Sequence, residues 1–311
     1  MWSKGSRDCT IESGRPEGAH SYHMHQLAEP TSPALRPAPE VFPLENGDHL
    51  TAEEFLKRYA ATPGLKKAEL LDGEVYIETG YSTHDGSGFA LQNGDHLTGE
   101  EFLKRYEATA GIHKAELIDG MVYIVAPPVS HSEHSNQQLY LAAILGVYVA
   151  STPGIDGGDN GTVRFDPKNI PQPDLTLFVL STHGGRTSVG PDKYLSGPPE
   201  LIVEIARSSV NVDLHRKQDL YARSGTIEYI VWRTREKAID YLILRDGKYV
   251  PLSATDGIFK SENFPGLWVD LAALLAGDLA KALTTTQRGI DSPEHADFVS
   301  LLQQRATAAR S

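Results

Sequence analysis

Two short apolar runs, each with a carboxylate in or beside its apolar residues, constrain the fold of this chain more than any other feature. The run over 174–180 is Asp-Leu-Thr-Leu-Phe-Val-Leu and follows a Pro-Gln-Pro stretch, and the run over 200–206 is Glu-Leu-Ile-Val-Glu-Ile-Ala and follows two prolines. Proline disfavours helix where each run begins, and the composition is typical of buried strands. If the two strands are neighbours, Asp174 and Glu204 lie at one edge of a β-sheet.

This carboxylate pair suits a hard divalent cation. Such a cation takes oxygen ligands and keeps several waters, so one or two protein carboxylates plus a substrate phosphate complete a site. Glu204 lies among leucine, isoleucine and valine, where an unpaired charge is costly and a cation or a basic partner is expected. We therefore expect Asp174 and Glu204 to bind Mg2+, with Mn2+ as the alternative ion and the carbonyl of Ile205 as a candidate further ligand.

A lysine on the next element adds a positive charge to this pattern. Asp213, Lys217 and Tyr221 are spaced i, i+4 and i+8, so on a helix they share one face. Lys217 would orient the attacking water or stabilise charge on a phosphate. The alternative is an ordinary surface ion pair between Asp213 and Lys217, worth roughly a few tenths of a kcal/mol. With the two strand carboxylates, the set indicates metal-assisted phosphodiester cleavage.

Several short motifs follow one another in an order that resembles a known family. They are Glu116-Leu-Ile-Asp-Gly120, Gln172-Pro-Asp174, Pro199-Glu-Leu-Ile-Val-Glu204-Ile, Ser208-Ser209, Asp213 with Lys217, and Tyr221-Ala-Arg-Ser-Gly225-Thr-Ile-Glu-Tyr229. Over about 93–275 the sequence resembles the Uma-two family, a bacterial group of restriction-endonuclease-like proteins in the PD-(D/E)XK superfamily. The resemblance implies an α/β fold, with a restriction-endonuclease-like mixed β-sheet core flanked by helices, and a metal-dependent endonuclease that acts on DNA.

The resemblance also implies roles for residues outside the two strands. It implies that Glu116 reaches the metal centre, as a further catalytic residue, and that His134 touches phosphate. In the superfamily pattern a lysine stands two residues after the glutamate, and here that position is Ala206. The resemblance implies that Lys217 has taken over this role.

Two of these assignments keep an alternative. Glu116 could be an exposed strand glutamate, because glutamate is rarely buried and this one has a duplicate at Glu69. His134 could be a polar surface residue at a helix start, and His131 is an equal competitor for its role.

Net charge argues against a nucleic-acid partner, and its distribution weakens that argument. The formal net charge is -12, whereas phosphate contacts are usually made by Lys and Arg. Between Arg207 and Lys237, however, seven basic residues stand against four acidic ones, a local balance of +3. We expect DNA as the substrate, contacted by Arg207, Arg216 and Tyr221. The alternatives are a catalytically silent binding or regulatory module, and a hydrolase of a small phosphorylated substrate; the pI of about 5.4 favours these two weakly.

Cysteine content and hydropathy indicate the cellular compartment of the protein. The single cysteine, Cys9, excludes an internal disulfide and a cysteine metal site. The sequence has neither an apolar run long enough for a membrane span nor an apolar signal region after its start. We expect a cytoplasmic protein without a membrane partner, acting as a homodimer.

An internal duplication occupies the first half of the chain. Residues 46–77, here called copy one, recur as residues 93–124, copy two, with 25 of 32 positions identical. Each copy has a capping box before a helical apolar pattern and an Asp-Gly turn between two strand-like runs. Two copies are too few for a solenoid. We expect copy one to pack on the domain edge, to compete for the place of copy two, or to be poorly ordered.

These patterns divide the chain into four parts. Residues 1–41, rich in Pro, Ser, Gly and His, are expected to be a disordered tail. Residues 42–88 hold the partial duplicate and a linker, and 89–277 form the nuclease-like domain. Residues 278–311 are expected to be a C-terminal tail with one short helix.

Overall fold

A computed structural model describes residues 44, 48–62, 68–71, 73–77, 90–109, 111–112, 114–124, 134–206 and 212–309. All of them belong to one compact unit, Val41–Ser311. The predicted N-terminal tail, the linker that follows copy one, and Arg207 lie outside these residues, as do the side chains of Asp213 and its two helical neighbours.

The described residues form seven α-helices and fifteen short strands. The helices are α1 Ala52–Ala60, α2 Gly99–Ala108, α3 Asn136–Ser151, α4 Val212–Ser224, α5 Leu271–Leu275, α6 Leu279–Ile290 and α7 Pro293–Ala308. The strands are β1 Ala68–Leu71, β2 Glu74–Ile77, β3 Ala115–Ile118, β4 Met121–Ile124, β5 Ile155–Asp159, β6 Val163–Arg164, β7 Leu175–Val179, β8 Ser188–Val189, β9 Leu195–Ser196, β10 Leu201–Ala206, β11 Glu228–Arg233, β12 Ala238–Arg245, β13 Lys248–Pro251, β14 Phe259–Lys260 and β15 Trp268–Val269.

A six-stranded mixed sheet organises the domain, in the order β13-β12-β11-β10-β7-β5. β10 and β11 are parallel and are joined through α4, while the other neighbouring pairs are antiparallel. The two strands inferred from the apolar runs, β7 and β10, are therefore direct neighbours, as expected. The β12 and β13 strands form an antiparallel hairpin at the far edge of the sheet.

The two faces of this sheet are covered differently. On one face Leu201, Val203 and Ile205 of β10 belong to a large apolar cluster with α3 and the C-terminal helices. On the other face Ile202 and Ala206 pack with α4 and with the hairpin of copy two. Because side chains alternate along a strand, Glu204 shares the second face and points toward α4.

The C-terminal segment differs from its prediction. Residues 278–311 contain two helices, α6 and α7, where one short helix in a tail was expected. Ala282, Phe298 and Leu302 of these helices belong to the main apolar cluster. The segment is therefore part of the domain core.

Both copies of the duplication have the same local fold. In each, a capped helix precedes a two-stranded antiparallel hairpin, β1–β2 in copy one and β3–β4 in copy two. The turn of copy two has Asp119 and Gly120 at φ 52° and 81°, the left-handed conformation that an Asp-Gly hairpin turn requires. Copy two is tied to the domain where Leu117 of β3 and Ile170 bond each other's backbone.

Candidate active site

The strand register brings the two predicted carboxylates together. Val203 of β10 lies opposite Leu175 of β7, at the end of an antiparallel ladder. Extending that register by one residue places Glu204 opposite Asp174. Cross-strand partners point to the same face of a sheet, about 5 Å apart at Cβ. Both carboxylates thus lie on the face that α4 and copy two cover.

Asp174 is buried and has three charged or polar contacts. Lys114 Nζ lies 2.8 Å from its Oδ1. Its Oδ2 accepts a hydrogen bond from the Ile205 backbone N–H at 2.8 Å and lies 3.3 Å from His134 Nε2. The sequence predicts the Ile205 carbonyl as a candidate metal ligand, and the contact that the structure gives Ile205 here is its N–H.

Lys217 bridges two further carboxylates. Its Nζ lies 2.9 Å from Glu116 Oε2 and 3.2 Å from Glu204 Oε1. The Tyr221 hydroxyl donates to the same Glu204 oxygen at 2.7 Å. All four side chains are almost completely buried. Lys217 is therefore not an exposed surface residue, and the alternative of an exposed Glu116 is wrong.

Copy two delivers Glu116 to this cluster through its hairpin. Glu116 Oε1 accepts a hydrogen bond from the backbone N–H of Gln172 at 2.7 Å, and Gln172 lies two residues before Asp174 in the segment that leads into β7. The Gln172 side chain donates to the carbonyl of Asn160 at 2.7 Å. Glu116 is thus fixed from the main sheet as well as from its own strand.

The cluster holds more negative than positive charge. Three carboxylates face two lysines, so one negative charge is left over when all five groups are ionised and His134 is neutral. Burial raises the pKa of Glu204 to about 8, with Lys217 opposing that shift and Asp174 adding to it. A buried excess charge is costly, so at neutral pH the cluster favours taking up a proton or a cation.

Asp174 and Lys114 behave as a charged pair. Burial alone would raise the pKa of Asp174, but Lys114 and His134 outweigh it and hold that pKa well below its ordinary range. Burial alone would lower the pKa of Lys114, and Asp174 and Glu116 reverse that effect and raise it. Lys114 is therefore an ammonium group at neutral pH and cannot accept a proton there.

The donor set fits a hard divalent cation by its chemistry. Asp174, Glu204 and Glu116 offer carboxylate oxygens, the ligand type that such ions prefer. Among the described residues no group of three or more His, Cys, Asp or Glu has the spacing to hold a metal ion. Two lysine ammonium groups lie against these carboxylates instead, so binding an ion requires them to move aside.

The other residues predicted to contact the substrate lie at different places around the buried cluster. Arg216 on α4 contacts the hydroxyl of Tyr123 in copy two. Tyr221 is buried beneath Glu204, so it positions that carboxylate and has no surface that a substrate could reach. His134 is partly exposed and lies beside Asp174, as a helix-start residue near the site.

Sequence reasoning missed Lys114. The sequence did contain an indication that Lys114 accompanies Glu116. The two residues are two positions apart at the start of a strand and therefore share a face. The missing information was that β3 docks beside Asp174, which no local pattern predicts. Gln172, which anchors Glu116, lies in the Gln-Pro-Asp motif, and its amide carries no signal of that role.

The described residues contain no helix long and apolar enough to cross a membrane. Comparison with solved structures finds a crystal structure described as a putative nuclease belonging to DUF820 from Anabaena variabilis. It is 15% identical, with a TM-score of 0.47, over 58% of this chain and 98% of that one. No curated protein matches.

A family comparison matches residues 100–273, a span that includes Glu116, Asp174, Glu204 and Lys217. The matched family is Uma2, described as "Putative restriction endonuclease". The match covers more than half of the chain, and the mixed sheet flanked by helices has the restriction-endonuclease-like fold expected from it. The chain therefore belongs to the Uma2 family of nuclease-like proteins.

Proposed function

We propose that this protein is a Mg2+-dependent endonuclease that hydrolyses DNA phosphodiester bonds, with Mn2+ as a substitute ion. The observation that carries the proposal is the buried cluster on one face of the sheet, where Asp174, Glu204 and Glu116 meet two lysines. Membership of a restriction-endonuclease-like family supports the reaction class.

The two strand carboxylates would hold the ion. Asp174 is kept ionised by Lys114 and positioned by the Ile205 N–H, and Glu204 is positioned by Tyr221. A bound Mg2+ would supply Lewis-acid activation of the phosphate and of a water molecule. Glu204, with its raised pKa, would release a proton when the ion binds.

The lysines supply charge to the phosphate. Lys114 has a raised pKa, so it donates hydrogen bonds and does not act as a base. Lys217 lies between Glu116 and Glu204, and it would stabilise charge on the phosphate or orient the attacking water once the ion replaces it at Glu204. His134 beside Asp174 would contact a phosphate oxygen.

DNA binding would rest on a few local basic groups. The whole chain carries -12, but α4 brings Arg216 to the same side as the cluster. Because one such site cuts one strand, cleavage of both strands would use two sites in a homodimer. Sedimentation with and without duplex DNA checks that part of the proposal.

Nicking of supercoiled plasmid tests the function. The parent protein should cut with Mg2+ or Mn2+ and stop cutting when a chelator is added. Asp174→Ala and Glu204→Ala should each abolish cutting while circular dichroism shows an unchanged fold. If both variants cut as fast as the parent, the assigned site is wrong.

A second assay separates the alternatives. A catalytically silent module would shift duplex DNA in a gel without cutting it, and a small-molecule hydrolase would release the chromophore from a chromogenic phosphodiester while leaving plasmid intact. Lys217→Ala should lose most of the nicking rate and keep Mn2+ binding by calorimetry, because an ammonium is not a metal ligand.

A further inference from the structure

The surface that receives copy two is defined by a small set of residues. We call it the slot: Asn160, residues 167–172, Asp174, Lys217 and Arg223. Copy two contacts it through Tyr106, Lys114, Glu116, the backbone of Leu117, and Asp119. These contacts include both groups that copy two contributes to the candidate active site.

Copy one repeats these five residues, but not Gly99, whose N–H also bonds the slot at the Pro167 carbonyl. At the offset of 47 that aligns the copies, the counterparts are Tyr59, Lys67, Glu69, Leu70 and Asp72, all identical to copy two. The internal frame is repeated as well. The N–H of Leu44, two residues before copy one, donates to Thr62 Oγ1 at 2.9 Å, and the N–H of Leu91, two residues before copy two, donates to Thr109 Oγ1 at 2.9 Å.

Apart from the exchange of Ile118 for the isomeric side chain of Leu71, copy one differs from copy two at three positions that touch the slot or residues beside it. Gly99 is Ala52 in copy one, and a Cβ at Gly99 would lie 2.7 Å from Ile170 Cδ1 and 3.1 Å from the Pro167 carbonyl oxygen. Glu107, which accepts a hydrogen bond from the Tyr194 hydroxyl at 2.9 Å, is Ala60.

The third difference exchanges an apolar for a charged residue. Met121 packs against the apolar cluster that contains Tyr221, and its counterpart is Glu74. All three differences weaken the fit of copy one in the slot, and none removes a group that faces the carboxylate cluster. The closest contact of an alanine at position 99 is with the end of a flexible side chain, so Ile170 can yield to it.

Two described residues of copy one are exposed where their counterparts in copy two are buried. Leu56 is 64% exposed where its counterpart Leu103 is 5% exposed. Glu69 is exposed where Glu116 is buried.

We propose that copy one is an alternative occupant of the slot in its own chain, which brings Lys67 and Glu69 to Asp174 and Lys217 in place of Lys114 and Glu116. Copy two then leaves the slot as part of a loop between Ile77 and His134, and the extra loop length opposes the exchange only weakly. The three differences keep copy two as the major occupant. The catalytic meaning of the exchange rests on the proposed function, while the exchange itself does not.

Disulfide trapping measures which copy occupies the slot. Leu117 and Ile170 bond each other's backbone as an antiparallel pair, in which Cα atoms lie about 5.5 Å apart, a separation that a disulfide spans. In full-length protein with Cys9→Ser, Leu70→Cys with Ile170→Cys reports copy one in the slot. Leu117→Cys with Ile170→Cys reports copy two, and Lys57→Cys with Ile170→Cys, at an exposed helix position whose counterpart Lys104 is also exposed, is the control for random collision.

A triple variant should shift the occupancy of the slot toward copy one. Ala52→Gly, Ala60→Glu and Glu74→Met give copy one the slot contacts of copy two. In this background the yield of the position 70 to position 170 cross-link, read as a linked peptide in the monomer band, should rise by about tenfold over the native background. A yield no greater than the Lys57 control in both backgrounds overturns the exchange, and so does a linked product that is a covalent dimer.

Plasmid nicking tests whether copy one, once in the slot, can replace copy two in the proposed reaction. Full-length Glu116→Gln in the same background should retain nicking that Glu69→Gln then removes. If the cross-link forms and Glu69→Gln changes nothing, copy one occupies the slot without serving the reaction, and that part is wrong. If no protein nicks DNA, the proposed function fails while the cross-link still decides the exchange.

Discussion

Copy one and copy two have nearly the same sequence and the same local fold, and their surroundings differ. Glu116 lies in a buried cluster with Lys217 and Gln172, whereas its counterpart Glu69 is exposed. Leu103 is buried, whereas Leu56 is largely exposed. Sequence therefore determines the helix and hairpin, and the sheet beside them decides whether the same glutamate is a buried site residue or an exposed one.

At one ion pair, copy one is the more buried of the two copies. Arg58 and Asp48 of copy one form a buried pair at 2.6 Å, while Arg105 and Asp95 of copy two are 3.5 Å apart and partly exposed. Arg105 instead bonds Glu101 at 2.7 Å. Copy one thus relies on an internal ion pair, and copy two relies on contacts to the domain.

The difference in burial between these two ion pairs predicts the largest difference in stability between matched substitutions. Arg58→Ala removes the cation that lies 2.6 Å from the buried Asp48 carboxylate, which should cost copy one about 3–5 kcal/mol of local stability. Arg105→Ala removes a partly exposed pair and should cost no more than about 1 kcal/mol. Hydrogen exchange of the α1 and α2 amides measures both. Equal losses in the two copies would show that the two ion pairs are equivalent.

The leucines at the same helix position of the two copies, buried Leu103 and exposed Leu56, predict the next largest difference in stability. Leu103→Ala empties a buried position and should lower the free energy of unfolding by about 2–5 kcal/mol. Leu56→Ala, at the same helix position in copy one, should change it by less than about 0.5 kcal/mol. Urea unfolding followed by circular dichroism tests the pair. A large effect of Leu56→Ala would mean that copy one is packed against another surface in solution.

Removing the corresponding lysine of each copy should have different effects on the loss of stability in acid. Lys114 holds the pKa of Asp174 below its ordinary value of 3.8, so this contribution to stability is present above about pH 4 and is lost as the pH falls further. Lys114→Met should lower stability at pH 7 and flatten the loss below pH 4. Lys67→Met, the counterpart in copy one, should leave the acid slope of the parent unchanged. Urea unfolding across this pH range measures both slopes.

The helix caps should show no difference between copies. Thr51 Oγ1 accepts from the Glu54 N–H at 3.3 Å, and Thr98 Oγ1 accepts from the Glu101 N–H at 3.4 Å. Thr51→Ala and Thr98→Ala should therefore each cost about 1 kcal/mol of local stability, by hydrogen exchange of the capped helix. Unequal costs would show that tertiary contacts reach the caps.

Much of the site could be predicted because it follows local periodicity. The apolar runs became β7 and β10, and the i, i+4 spacing placed Lys217 and Tyr221 on the face of α4 that meets Glu204. Lys114 could not be predicted from spacing alone. Its partner Asp174 is 60 residues away, and the docking of the copy-two hairpin decides the contact.

The C-terminal helices show a second limit of sequence reasoning. α6 buries Thr285 and Thr286, and threonine does not stand out as a core residue in an apolar pattern. Their burial is possible because hydroxyl groups find backbone acceptors, as Thr286 does at the Trp268 carbonyl at 2.9 Å. The segment therefore resembled a tail although it completes the core.

Copy two, docked on the sheet, would complete the proposed nuclease site with Asp174, Glu204 and Lys217. The most direct test is plasmid nicking by protein that lacks residues 1–88, with and without Glu116→Gln. The truncated protein should melt cooperatively and nick plasmid at the rate of the full chain, and Glu116→Gln should slow it by at least about 10²-fold. A truncated protein that folds and does not cut, or one that cuts equally fast with Glu116→Gln, would contradict the claim.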